Sequence, residues 1–142
     1  GATGAVGMPV MLALIGKNVY EIKKHNTDLE IALDRFKTQP TAKDLKVIES
    51  EMFTVTSDLL DLSSRMVQLA PDPTGISDFA AFVGEQGLER LAIDEVPKIL
   101  SKLKLLLDKV PIVGKTDVIE AMGNVGLAHD LLNKIGKHLN KI

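Results

Sequence analysis

The three histidines, His25, His129 and His138, are the side chains of this chain best suited to acid–base or metal chemistry. Such chemistry needs a nucleophile, a second acid or further ligands directed at the same point. His129 lies beside Asp130 and just before Asn133, but adjacent residues of a helix point about 100° apart and do not converge. We therefore expect no metal site, no cofactor and no catalytic site, and hence a protein that is not an enzyme.

Composition narrows the classes of function further. The 142 residues include 17 basic and 19 acidic side chains and no cysteine. Balanced charge gives no field to attract nucleic acid, and the lack of cysteine excludes disulfides and zinc–thiolate sites. With 45% hydrophobic residues the chain can bury a core. We expect one helical domain over residues 1–142, with no nucleic-acid partner.

The stretch from Leu45 to Leu69 carries the broadest apolar pattern. Three ladders repeat every seven residues and, at about 100° per residue, lie side by side over roughly half of a helix. A helix with so wide an apolar face must be covered on two sides. The ladders are Leu45/Met52/Leu59/Met66, Ile48/Val55/Leu62/Leu69 and Phe53/Leu60/Val67. The preceding helix supplies a matching stripe with Asn26 as its only polar member. Such an asparagine is more often a register device or a hydrogen-bonded core residue than a ligand contact.

Proline, glycine and capping residues divide the chain into helices. Gln39-Pro40 ends the first helix, and the segment Pro71–Gly75 is typical of a loop. The predicted helices cover Pro9–Lys37, Thr41–Ala70, Ser77–Leu91, Asp94–Lys109 and Thr116–Asn140, with Thr41, Ser77 and Thr116 as N-caps. The third and fourth could instead form one helix bent at Pro97. We predict an all-α fold, an up-and-down antiparallel bundle of about five helices, four long and one short.

Two features of the predicted interior are compatible with dense packing or with a cavity. Each glycine inside a helix costs about 1 kcal/mol relative to alanine. Close helix packing would explain such glycines, and so would room left beside the core for a bound molecule. Methionine, which fills irregular space, allows the same two interpretations. The residues concerned are Gly16, Gly84, Gly87, Gly123, Gly126 and Gly136, with Met52, Met66 and Met122 facing the cavity if there is one.

Several stretches together resemble the fungal hydrophobic surface-binding protein A family, which includes cell-wall galactomannoproteins with lipid-binding domains. They are Val19-Tyr20-Glu21-Ile22, Leu29-Glu30-Ile31-Ala32-Leu33-Asp34-Arg35-Phe36, the break at Pro71–Gly75, and Val96-Pro97-Lys98-Ile99-Leu100 through Val110-Pro111. The resemblance implies a secreted or cell-wall domain of five helices. It also implies that the domain binds long-chain fatty acids in an apolar tunnel or coats hydrophobic surfaces.

The energetics of such binding are reasonable. Burying about a dozen methylenes at about 0.8 kcal/mol each gives about 10 kcal/mol. Association removes at least about 4 kcal/mol, which leaves affinity in the micromolar range. We predict a ligand site formed by Tyr20, Asn26, Phe53, Val55, Ser57, Leu59, Leu60, Met66, Phe82, Leu103, Leu106, Met122, Val125 and His129, with Tyr20, Asn26, Ser57 and His129 as head-group partners.

The competing interpretation is an interaction module. Ladders with seven-residue spacing suit helix pairing as well as they suit a cavity. In this case the wide face of the second helix would cover a partner helix or a second copy of the chain in a homodimer.

Overall fold

Four α-helices make up most of the part of the chain that the computed structural model describes, residues 7–69 and 95–140. We label them α1 (Met8–Thr38), α2 (Ala42–Met66), α3 (Val96–Lys109) and α4 (Lys115–Asn140). The described ranges contain no strand, so the all-α class is confirmed. The predicted short helix at Ser77–Leu91 and the loop at Pro71–Gly75 lie outside the described residues.

The start of α2 has the predicted cap. The Thr41 hydroxyl oxygen accepts a hydrogen bond from the Asp44 backbone N–H at 3.1 Å, and the same hydroxyl donates to the Asp44 carboxylate at 2.9 Å. This satisfies one of the N–H groups that a helix leaves without a partner in its first turn. The end of α2 was predicted wrongly, because the helix ends at Met66 and not at Ala70. Beyond it the backbone changes to the tighter i to i+3 bonding, from Gln68 N–H to the Arg65 carbonyl.

The start of α4 also differs from the prediction. Thr116 lies inside the first turn and is not the N-cap. The Gly114 carbonyl accepts the N–H of Val118 at 3.2 Å, and Gly114 has φ of 86°. A β-carbon built at Gly114 would lie 2.6 Å from Cγ1 of Val19. Glycine is therefore required here both for the left-handed backbone and for the close approach of α1.

Contacts between named residues fix the directions of the helices. His25 pairs with Asp58 and Asn18 pairs with Arg65, so α1 and α2 are antiparallel. Gly114 lies against Val19 and Asn124 bonds to Asn26, so α1 and α4 are parallel. A short turn joins α3 to α4, and Leu100 lies 3.9 Å from the position of a β-carbon at Gly126, which makes this pair antiparallel.

The core lies where these helices meet, and α2 contributes most to it. Its fully buried side chains include two of the predicted ladders along much of their length. The third ladder is buried at Leu60 and Val67 but not at Phe53, which is 44% exposed. Phe53 is at the outer edge of the apolar arc. Thr56 and Ser63, which lie between the first and third ladders, are buried although they are polar. Their hydroxyls donate to the carbonyls of Met52 and Leu59 at 2.7 and 2.8 Å.

No helix in the described part of the chain combines the length and the hydropathy needed to cross a bilayer.

Candidate functional site

Most of the predicted ligand-binding residues belong to the packed core. Their apolar members form one cluster with other buried residues, so the structure brings them together, but as side chains that fill the interior against one another. The buried members are Val55, Leu59, Leu60, Met66, Leu103, Leu106 and Val125, with Met122 half-buried against them. Phe53 is the exception because it is exposed, and Phe82 lies outside the described residues. The arrangement is that of an ordinary helical core.

The four predicted head-group partners do not form one polar site. Asn26 is buried, and its side-chain oxygen accepts a hydrogen bond from Nδ2 of Asn124 at 2.9 Å, as expected for a core asparagine. Tyr20 is 65% exposed and lies about 120° around α1 from Asn26, because the two are six residues apart. Ser57 is half-buried on α2. The side chain of His129 on α4 is largely buried, and its ring nitrogen Nδ1 lies 3.7 Å from Oδ1 of Asp130. The four residues thus lie on three different helices, and their role as head-group partners stays a prediction.

An apolar groove lies at the end of the bundle where α1 begins and α3 turns into α4. We call it the end groove. It has a volume of about 360 Å³ and is lined by Leu12, Ile15 and Gly16 of α1 and by Pro111, Ile112 and Val113 of the turn. None of these side chains carries a polar group. Val113 is 92% exposed and Leu12 is exposed over half of its surface, so the groove opens to solvent.

Gly16 is the residue that leaves room in the end groove. A β-carbon built at Gly16 would have no heavy atom within 4 Å, and the same holds for Gly123 on α4. Close helix packing therefore explains neither glycine. Gly126 is in ordinary contact with Leu100 at 3.9 Å. Room for a bound molecule fits Gly16, whereas Gly123 is on the exposed face of α4. Gly84, Gly87 and the surroundings of Gly136 lie outside what the structure describes.

A second depression, which we call the polar cleft, lies between α1 and α2. It has a volume of about 210 Å³. Its lining residues are Leu14, Lys17, Asn18 and Glu21 of α1 and Asp58, Asp61 and Arg65 of α2. The Arg65 guanidinium donates to the side-chain oxygen of Asn18. The cleft is thus lined mainly by charged side chains, and the bond between Asn18 and Arg65 joins the two helices across it.

A second short contact, beside the polar cleft, is between His25 and Asp58. Nδ1 of His25 lies 2.5 Å from Oδ2 of Asp58, and Nε2 of the same ring lies 3.9 Å from Oε2 of Glu21. Burial raises the pKa of Asp58, and the nearby carboxylates of Asp61 and Glu21 act in the same direction, whereas His25 lowers it. The imidazole therefore lies between two carboxylates, one of which is partly withdrawn from water.

Sequence reasoning missed both depressions. Glu21, which is three residues from Lys24 on the same helix, lies 3.9 Å from Nε2 of His25. One signal was available for the cleft. Asn18 and His25 are seven residues apart, and so are Asp58 and Arg65, so two polar pairs match across antiparallel helices. For the end groove the signal was the run of three apolar residues inside a turn, Pro111 to Val113.

The described residues contain no group of three or more histidine, aspartate or glutamate side chains that could hold a metal ion. The chain matches no known family model, no curated protein and no solved structure. The resemblance drawn from sequence therefore stays a prediction, and the function has to be argued from the end groove and the polar cleft.

Proposed function

We propose that the protein binds an apolar ligand without catalysis, that the ligand class is a long-chain fatty acid or a similar lipid, and that the end groove is part of the site. The observation that carries this proposal is the groove itself, with its lining of apolar side chains and a volume of about 360 Å³. Ligand pockets are typically apolar and about 300–1,000 Å³ in volume. The proposal keeps the predicted ligand but moves its site from the interior to the end of the bundle.

Tyr20 supports an amphiphilic ligand. It lies one helical turn beyond Gly16 and is largely exposed. Long side chains of a helix lean back toward its N-terminus, so the Tyr20 phenol leans toward the level of Gly16. A carboxylate at the end of an acyl chain in the groove would then meet a hydroxyl donor. Tyr20 is the one predicted head-group residue with a position beside the groove.

Two phenylalanine variants test the site. Gly16→Phe places a ring in the end groove, and Gly123→Phe places the same ring in open space on α4. Binding of a fluorescent long-chain fatty acid should weaken at least tenfold in the first variant and stay unchanged in the second. Equal binding by both variants would show that the groove is not the site. Native mass spectrometry of the unmodified protein from its host should show a co-purifying acyl mass.

The proposal has two further parts, the arrangement of the helices and the location of the protein. The helix directions support the first and the resemblance supports the second. The neighbours α1 and α2 are antiparallel, as are α3 and α4, and this supports an up-and-down order of about five helices over the whole chain. The resemblance alone supports a secreted or cell-wall location. Fractionation of the host, with the protein expected in the medium or the wall, tests that location.

A second candidate function is self-association through the outer face of α4. Ile119 and Leu127 are each more than half exposed there, and Gly123 lies between them on the same face. The predicted pairing face on α2 is unsuitable, because Ile48, Val55 and Leu62 are buried within the chain itself. Sedimentation of the protein and of Leu127→Glu tests this function. A lipid-free dimer that the substitution dissociates would favour it over lipid binding.

A further inference from the structure

The first turns of α1 are apolar on the side that faces solvent as well as on the side that faces the core. The first charged residue of the whole chain is Lys17. Before it, Met11 and Ile15 are buried in the core. The exposed residues of the same turns form a continuous arc of about 160° around the helix, and all of them are apolar. They are Pro9, Val10, Leu12, Ala13 and Gly16.

The turn between α3 and α4 extends this exposed surface. Val113 is 92% exposed, more than any other large apolar side chain in the described part of the chain. Pro111 is exposed as well, and both residues line the end groove beside Leu12 and Gly16. A contiguous apolar surface of this kind is typical of a site that contacts a partner or a membrane. We call the surface the apolar tip, formed by Pro9, Val10, Leu12, Ala13, Pro111 and Val113.

The charged residues at the edge of the apolar tip are lysines. The two segments that form it, residues 8–17 and 109–116, contain no acidic residue and three lysines, Lys17, Lys109 and Lys115. With the flanking Asp108 and Asp117 an excess of one positive charge remains, whereas the whole chain has a net charge of −2. Lysine is depleted from protein–protein interfaces, but it is common beside apolar surfaces that insert into anionic lipid. There its methylene stem lies along apolar groups while its ammonium group reaches the head groups.

Tyr20 lies behind the lysine on the same side of α1. It is 65% exposed and, eight residues after Leu12, lies about 80° from it around the helix, within the direction of the exposed arc. Along the axis, Lys17 is about 10 Å and Tyr20 about 15 Å behind Val10. Inserted surfaces reach about 5–10 Å into the boundary between head groups and acyl chains, and tyrosine is enriched at the head-group level. The order of apolar, basic and aromatic residues along α1 therefore matches the depth profile of one leaflet.

We propose that the apolar tip docks the protein on the surface of a bilayer that contains anionic lipids, with the tip among the acyl chains and the lysines at the head groups. The end groove opens within this surface, so docking brings its mouth to the acyl chains. A fatty acid then passes between bilayer and groove without crossing water. Docking rests on the apolar tip, whereas this transfer rests on the proposed function of the end groove.

The test is co-sedimentation of the full chain with vesicles of phosphatidylcholine, with and without phosphatidylglycerol. Val10→Glu puts a charge into the apolar tip at a residue that does not line the end groove. Ile31→Glu is the matched control, because Ile31 lies on the same helix about 30 Å away and is 54% exposed, against 55% for Val10. Binding to the mixed vesicles should weaken at least about tenfold in Val10→Glu and stay within about twofold in Ile31→Glu. Circular dichroism checks that both variants are folded.

The lysines give a second measurement. One lysine near an anionic surface contributes about fivefold to binding, so Lys115→Gln should weaken binding to the mixed vesicles by about that factor. The same substitution should have little effect on vesicles of phosphatidylcholine alone. Binding of the original protein that does not rise with phosphatidylglycerol would overturn the choice of an anionic surface.

Three results would overturn docking. They are no binding of the original protein to either vesicle, equal binding by Val10→Glu and Ile31→Glu, and a dimer of the original protein that Val10→Glu dissociates. The last result would show that a second copy covers the apolar tip. Binding of a fatty acid in solution is a separate measurement, which Val10→Glu should leave unchanged and Gly16→Phe should weaken. A failure of docking is thereby distinguished from a failure of the end groove.

Discussion

The end groove and the polar cleft lie on opposite faces of the same half of α1 and are built by opposite means. Gly16 in the groove and Asn18 in the cleft are two residues apart, which on a helix places them about 200° apart. The cleft is lined mainly by charged side chains, and two contacts in and beside it, Asn18 with Arg65 and His25 with Asp58, join α1 to α2. The groove is lined by apolar surface that no described residue covers. One face of α1 therefore fixes the helix in place, and the other is available to a ligand.

The difference shows which surfaces of this fold already have partners within the protein and which are open to water. Buried polar groups need partners, and in and beside the cleft Asn18 pairs with Arg65 and His25 pairs with Asp58. Apolar surface open to water is unfavourable, and contact with another apolar group would relieve it. For this reason we propose ligand binding in the groove, and we expect the stability of the cleft to depend on pH through Asp58, whose pKa burial raises.

The largest expected effect comes from breaking the turn that shapes the groove. Gly114→Ala forces a β-carbon onto a residue with φ of 86° and against Val19, a stiff and buried side chain. A strained backbone of this kind costs about 1–3 kcal/mol, and the clash adds to it, so we expect a loss of at least about 2 kcal/mol in the free energy of unfolding. Urea unfolding measures the loss.

The same substitution at Gly16 is the control and should have the opposite sign. Gly16 is helical, and a β-carbon there meets open space, so Gly16→Ala should stabilise the protein by up to about 1 kcal/mol. A destabilised Gly16→Ala, or an unaffected Gly114→Ala, would contradict this description of the two walls of the groove.

A smaller effect is expected in the cleft, from Asp58→Asn. Burial raises the pKa of Asp58, so the folded chain binds its proton more tightly than the unfolded chain does. The stability contributed by protonated Asp58 is therefore complete below the pKa of the unfolded chain and is lost as the pH rises through the folded value. From about pH 3 to pH 6, the free energy of unfolding of the original protein should fall relative to that of Asp58→Asn.

The control for this prediction is Asp61→Asn, which removes the same charge from an exposed position in the same cleft. Urea unfolding at several pH values gives the comparison. If both variants show the same trend, the effect reports only the net charge of the cleft and not the burial of Asp58.

The sequence determined the helices well and the two depressions poorly, for a physical reason. Hydrophobic period, proline positions and the Thr41 cap are local signals, and α1 and α3 begin and end within about two residues of the prediction. Asn26 was also interpreted correctly as a hydrogen-bonded core residue, because a lone polar group on an apolar stripe must be paired. The partners of His25 and Asn18 depend instead on the register between helices, and the end groove depends on the backbone of Gly114. Neither is encoded by local periodicity.

The smallest effect should come from Tyr20→Phe, at the rim of the groove. The side chain is exposed, so the free energy of unfolding should change by less than about 0.5 kcal/mol. If the phenol donates to the ligand carboxylate, the loss of one hydrogen bond, about 0.5–1.5 kcal/mol, should weaken fatty-acid binding by about two- to tenfold. The methyl ester of the same fatty acid, which has no carboxylate charge, should be affected less. Equal effects on acid and ester would show that Tyr20 contributes apolar contact alone. No effect on either ligand would show that the head group binds elsewhere. The groove would then still be the proposed site of the acyl chain, which Gly16→Phe tests separately.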